Sequence, residues 1–251
     1  MGRMITGFAR RDKPLVLTTK QPSSKTTKPP NMTKTLYALL SFVGLICLFS
    51  CSETDDTNTE FENWQAKNDA FFEQQYQRAV DSIAVNPTKW KLIKCFSKDK
   101  NTEGAHTDYI IVHVLSQREN HDECTTPQYA ESPFYTDSVR VHVRGNLMPS
   151  TSYNVASASY GNVGYQFDTS WYGAYNAATM IPVAYSVSGL IDGFTTALLN
   201  MHVGDRWEIC IPYQLAYSST EKSSIPAYST LIFDLTLHSF ARAGQSFPSF
   251  Q

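Results

Sequence analysis

The stretch Gly189–Tyr217, GLIDGFTTALLNMHVGDRWEICIPYQLAY, carries the pattern from which the fold is read. Ile191-Asp192-Gly193-Phe194 opens a helix, and Ala197, Leu198 and Met201 recur at helical spacing to give it one apolar face. Val203-Gly204-Asp205 breaks that helix. From Trp207 the pattern becomes alternation, with Trp207, Ile209 and Ile211 on one face and Arg206, Glu208 and Cys210 on the other. Pro212 ends the strand, and Tyr217 stands just beyond it. Helix, turn, strand and displayed aromatic predict a helix laid across a sheet, with a pocket between them.

Outward from this stretch, the 251-residue chain divides by charge. Residues 1–50 carry eight basic residues and one acidic residue, whereas residues 51–251 carry 13 basic and 22 acidic. The net charge of −2 therefore hides a basic leader and an acidic body, and a body of that sign argues against nucleic acid as a partner. Residues 1–31 are Lys-, Thr-, Ser- and Pro-rich without periodicity and are read as disordered or untranslated. Met32 begins a short basic region, and Leu36 to Phe49 follow as an apolar run too short for a comfortable membrane span. Residues 32–50 have the layout of a secretory signal. Leu48-Phe49-Ser50-Cys51 resembles a bacterial lipobox, which implies that Cys51 becomes a lipid-modified N-terminus held to a bilayer by its acyl chains. Residues 51–60 are an acidic tether; Ser52-Glu53-Thr54-Asp55-Asp56 is either a solvated linker or similar to surface-export signals of some lipoproteins.

Residues 61–107 are expected to form an N-terminal helix and an extra strand. Phe61, Trp64, Asn68, Phe71, Phe72, Tyr76, Ala79, Val80 and Ile83 fall on one stripe of a helix that Asn86-Pro87 ends. The stripe is read as packing on the following domain, with a dimer helix as the alternative. Strands are expected at Trp90 to Phe96, Tyr109 to Leu115, Val139 to Val143, Trp207 to Pro212 and Thr230 to Phe240. Few helices among several strands predict an α+β domain with an antiparallel sheet. Cys95, Cys124 and Cys210 remain after export, so one disulfide is possible, with Cys95–Cys124 the leading pairing; Cys210, on the central strand, is read as buried. The six histidines show no metal-ligand spacing, and no nucleophile elbow accompanies any Ser/His/Asp set.

Five landmarks stand in series: Val141-His142-Val143-Arg144-Gly145; Phe167-Asp168-Thr169-Ser170; Gly189-Leu190-Ile191-Asp192-Gly193-Phe194; Met201-His202-Val203-Gly204-Asp205 leading to Ile211-Pro212 and Ala216-Tyr217; and Ile225-Pro226-Ala227 with Ser229-Thr230-Leu231-Ile232-Phe233-Asp234. In this order and spacing the chain resembles the FKBP-type peptidyl-prolyl cis-trans isomerases over about Tyr109 to Phe240. Its leader and aromatic helix look like those of the lipoprotein members from Bacteroidetes-type bacteria. The resemblance implies an antiparallel half-barrel sheet wrapped around one short helix, over residues 108–241, with residues 242–251 as a tail.

The resemblance also implies roles. Phe167 and Phe233 would be pocket walls and Phe194 the floor, where the family most often has Trp. Ile191 would offer its backbone N–H to substrate, Tyr217 its hydroxyl, and Asp168 would be the one buried acid. Leu190, Val143 and Val183 complete the substrate-binding set; Val143 stands in place of a wall Tyr and Val183 in place of a Phe. Ser218 follows Tyr217 where the family usually has Gly. The insert before Phe167 is longer than in the minimal domain and is expected to overhang the pocket side. The expected function is isomerisation of X-Pro bonds in exported polypeptides, needing no cofactor and no metal, by a monomer anchored in the cell envelope through Cys51. The alternative is a non-catalytic binding module on the same fold.

Overall fold

The computed structural model describes residues 59–117 and 130–248. The expected leader, signal segment, lipidation site at Cys51 and tether up to residue 58, together with Cys124, lie outside the described residues. A 3-10 turn at Thr59–Phe61 precedes helix α1 (Trp64–Val85). Strands β1 (Trp90–Lys94), β2 (Tyr109–Ser116) and β3 (Ser138–Leu147) follow, then two short strands β4 (Val155–Ala156) and β5 (Asn162–Val163). Strands β6 (Gln166–Thr169) and β7 (Val183–Ser186), helix α2 (Asp192–Leu198), β8 (Arg206–Ile211) and β9 (Leu231–Ala241) complete the order.

The main sheet is antiparallel and seven-stranded, in the order β1-β2-β8-β9-β3-β6, with β7 also on β3. This is the expected α+β class. The long strands fall where alternation placed them, but β3 runs four residues past Val143. β6 and β7 share its outer edge in succession: Val141 pairs with Val183, and Arg144 with Thr169. Register shifts at Gly145/Asn146 against β6 and at Arg140/Val141 against β9 bend β3.

Both faces of the sheet are covered, which is why β8 is buried almost throughout. On the front face, α2 lays Phe194, Ala197 and Leu198 against Trp207, Ile209, Ile211, Leu235 and Leu237. Gly193 permits the close approach, since a Cβ there would collide with the Ile211 side chain. On the back face, Phe72 and Ala79 of α1 join Ile111, Cys210 and Ile232, together with Tyr160 and Val163 from the insert between β3 and β6.

Two expectations are corrected here. The middle of the insert does not overhang the pocket side, because Tyr160 and Val163 find partners on the opposite face. Tyr160 is buried there and donates its hydroxyl to the carbonyls of Ile111 and Glu208, at 3.1 and 3.0 Å. The start of α1 shifts to Trp64, since Asn63 takes a left-handed conformation (φ 54°) that interrupts the turn from Phe61. The buried residues of α1 are Trp64, Asn68, Phe72, Gln75 and Ala79, one stripe at helical spacing.

Candidate functional site

The site lies where α2, β3, β6, β7, β9 and the segment after β8 meet on the front face. Phe233 is its central ring. It meets Phe194 edge-to-face at 5.1 Å between centroids and Phe167 edge-to-face at 5.5 Å. Such contacts set the positive ring edge against the negative face and add ~0.5–1.5 kcal/mol beyond simple burial. Phe194 and Phe233 are buried, whereas Phe167 is half-buried and opens the box on one side. Alternation explains the placing of Phe167: on the four-residue β6, Phe167 and Thr169 turn inward while Gln166 and Asp168 turn outward. Gly145, paired with Phe233 on one side and Asp168 on the other, leaves room for both rings. A Cβ there would stand 2.5 Å from Cε2 of Phe167 and 2.8 Å from Cε1 of Phe233.

Ile191 is the N-cap of α2, with extended dihedrals and its carbonyl accepting the Thr195 N–H at 3.0 Å. Among the described residues no acceptor meets the Ile191 N–H, as befits the unpaired donors of a helix's first turn. Side chains hold this turn in place. Thr195 Oγ1 donates to the Val187 carbonyl at 2.9 Å, Ser97 Oγ donates to Asp192 Oδ2 at 2.7 Å, and Thr196 Oγ1 accepts the Phe96 N–H at 3.2 Å. Leu190 and Ile191 are half-buried against the core cluster that contains Phe194 and Phe233.

Tyr217 follows the 3-10 turn Tyr213–Leu215 that Pro212 caps. It is half-buried, and Lys222 Nζ lies 5.2 Å from its ring centroid. Burial first, and the Asp168 carboxylate second, push its pKa up, so the phenol stays protonated and able to donate. Ser218 holds φ at +53°. A serine thus occupies the left-handed conformation that glycine adopts more easily.

Asp168 is exposed, which corrects the expectation of a buried acid. Among the described residues the buried acidic groups are Asp137 (1% exposed), Asp205 (1%) and Glu208 (7%), none of them a member of the aromatic box. Asp168 still acts on the site through its field, raising the pKa of both Tyr217 and Tyr185. Tyr185, on β7, was absent from the sequence-derived set. It is half-buried against the same cluster, and its alternation with Val183 was the signal that could have found it. Val143 is buried in that cluster and Val183 lies half-buried against it. Val143, Phe167, Val183, Leu190, Ile191, Phe194, Tyr217 and Phe233 all belong to or pack against one apolar cluster, Phe167, Phe194 and Phe233 in direct ring contact, with the Asp168 carboxylate near Tyr217.

Comparison with known proteins agrees with this geometry. Residues 130–238 match the family model described as FKBP-type peptidyl-prolyl cis-trans isomerase. The FKBP-type 22 kDa peptidyl-prolyl cis-trans isomerase of Escherichia coli (strain K12) is 35% identical over 106 residues, 42% of each chain. The macrophage infectivity potentiator of Trypanosoma cruzi is 43% identical over 65 residues, 26% of this chain and 33% of that one. The FKBP-type isomerase FkpA of Escherichia coli (strain K12) is 30% identical over 107 residues, 43% of this chain and 32% of its own. The chain thus spans less than half the length of these curated relatives. The crystal structure of FkpA from Escherichia coli superposes with a TM-score of 0.45 at 21% identity, over 85% of this chain and 74% of the other. By sequence match, residues 130–238, which build most of this box, are similar to the FKBP-type peptidyl-prolyl cis-trans isomerases.

Proposed function

We propose that this protein catalyses cis–trans isomerisation of X-Pro bonds in polypeptides. The observation that carries the proposal is the box of Phe167, Phe194 and Phe233 beside two available donors, the Ile191 N–H and the Tyr217 hydroxyl. An X-Pro amide prefers trans by only ~0.5–1 kcal/mol, yet resonance makes its rotation slow, with a barrier of ~18–20 kcal/mol. No bond breaks, so neither nucleophile nor metal is called for. The twisted amide has lost resonance and is less polar at nitrogen, and a dry aromatic box accepts it better than either planar form. The donors fix the flanking carbonyls so that rotation occurs within the box. The protein carrying this domain is exported and lipid-anchored through Cys51, facing envelope or secreted polypeptides; the signal layout of residues 32–50 supports that part.

The rival reading is a non-catalytic binding module. It draws on Val143 and Val183, aliphatic where the family carries aromatics. A protease-coupled assay on a short X-Pro peptide separates the two. The wild type is expected to accelerate exchange, and Tyr217→Phe to lower kcat/KM about five- to tenfold, the worth of one hydrogen bond of ~1–1.4 kcal/mol. The wild-type rate is expected to stay flat between pH 6 and about 9, because Tyr217 titrates above its ordinary value near 10. Peptide binding with exchange at the uncatalysed rate would establish the binding module instead. Partition of the full chain into a detergent phase, lost on Cys51→Ser, tests the anchor.

A further inference from the structure

A cavity of about 750 Å³ opens beside the aromatic box, between the turn before α1, the ends of the insert and the loop after Tyr217. It is of the size that holds a drug-sized ligand or a short peptide segment, ~300–1,000 Å³. Phe61, Tyr153 and Tyr165 supply its aromatic walls, and the rings of Tyr153 and Tyr165 meet edge-to-face at 5.0 Å. Tyr153 is 45% exposed and Tyr165 37%, so their faces remain open to a ligand. The charged side chains of the lining are Glu60, Glu221 and Lys222, a balance that favours a cationic occupant. Glu60 already accepts from Ser152 N–H and Oγ, which holds the insert against the N-terminal turn and shapes the wall.

The cavity neighbours the Tyr217 edge of the proline box. Lys222 lines it and also lies over the Tyr217 ring. Ile225 lines it and is buried in the same apolar cluster as Phe194 and Phe233. We infer that this cavity is an extended substrate subsite, which holds the part of the polypeptide flanking the isomerised X-Pro bond and selects aromatic and basic side chains there. The inference rests on the isomerase reading, since the box must hold the proline for the flank to reach the cavity. It assigns a role in choosing substrates to the insert and to the N-terminal turn, the latter outside the matched segment 130–238.

Two peptides test it on the full chain: a short Ala-Leu-Pro-Phe peptide that fills only the box, and a longer one with the same core flanked on both sides by Trp and Lys. The wild type is expected to favour the longer peptide. Tyr153→Ala combined with Tyr165→Ala, and separately Glu221→Lys, should each lower its kcat/KM about tenfold through KM, leaving the short peptide unchanged. An equal loss on both peptides, or no loss on the longer one, overturns the subsite. If neither peptide is turned over, the isomerase reading fails by itself, and the subsite is then judged by fluorescence anisotropy of the labelled longer peptide. Wild-type binding that weakens about tenfold in the variants supports it, whereas absent or unchanged binding overturns it.

Discussion

Gly145 carries no side chain, and the site depends on that. Its position on β3 faces the edges of Phe167 and Phe233, and a methyl group would come within 2.5–2.8 Å of both rings. Gly145→Ala is expected to push the rings apart, cost about 1–3 kcal/mol by overpacking and lower kcat/KM more than Tyr217→Phe does. Urea unfolding and the exchange assay would check both parts; unchanged values in each would show that the rings yield freely. Gly145 closes the first landmark motif, so its presence was legible, but the reason for it was not. The reason is a contact between residues far apart in the chain. Asp168 shows the opposite case. The motif placed it correctly beside Phe167, yet its burial was misread, because outward orientation follows from the strand alternation of β6 and not from the motif.

Helix α1 is joined to the sheet by hydrogen bonds as well as by its apolar stripe. Trp64 Nε1 donates to Ser229 Oγ at 2.8 Å, and Asn68 Oδ1 accepts the Thr230 N–H at 2.7 Å. Asn68 is fully buried and its amide nitrogen donates to the Trp64 carbonyl at 2.8 Å, so both ends of the side chain are used. Asn68→Ala is expected to strand the Thr230 N–H just before β9 and to lower stability by about 1–3 kcal/mol in urea unfolding. A change below about 0.5 kcal/mol would mean that water replaces the amide. The stripe of α1 was readable because twenty-two residues repeat one period. β6 and β7 were not, since four residues at a shared edge are too few for alternation to stand out. The insert hairpin has only two residues in each strand and owes its place to Tyr160, an anchor that composition does not reveal.

Across the described residues, burial sets the proton affinity of three histidines. His113, His142 and His238 all have lowered pKa values, with desolvation the leading cause in each. The unfolded chain takes up these protons below its ordinary histidine value of about 6.5, and the folded chain resists them. Stability is therefore present above about pH 6.5 and is lost as pH falls through the folded values. Glu208 opposes this: burial raises its pKa, so its proton is taken up more readily in the folded state, and folding gains as pH falls. With three histidines against one such glutamate, the melting temperature is expected to drop between about pH 7.5 and 5. His142→Leu should flatten that slope and raise stability at pH 7 by about 1–2 kcal/mol, since both ring nitrogens of His142 are buried without hydrogen-bond partners among the described residues. An unchanged slope in thermal melts would place the titration elsewhere.

At the same scale, the sequence by itself determined the α+β class, the order of the long strands, the short helix and most of the aromatic box. These depend on local periodicity and on motifs whose residues lie close together in the chain, both of which survive in one dimension. Tertiary structure alone decided that Asp168 is exposed, that Tyr185 joins the site and that Tyr160 and Val163 of the insert cover the back face. Each of these turns on which distant surfaces meet: the edge of β3 shared by two short strands, and the apolar patch of Ile111, Cys210 and Ile232 that both α1 and Tyr160 cover. Burial is a property of such meetings, and no window of sequence contains both partners.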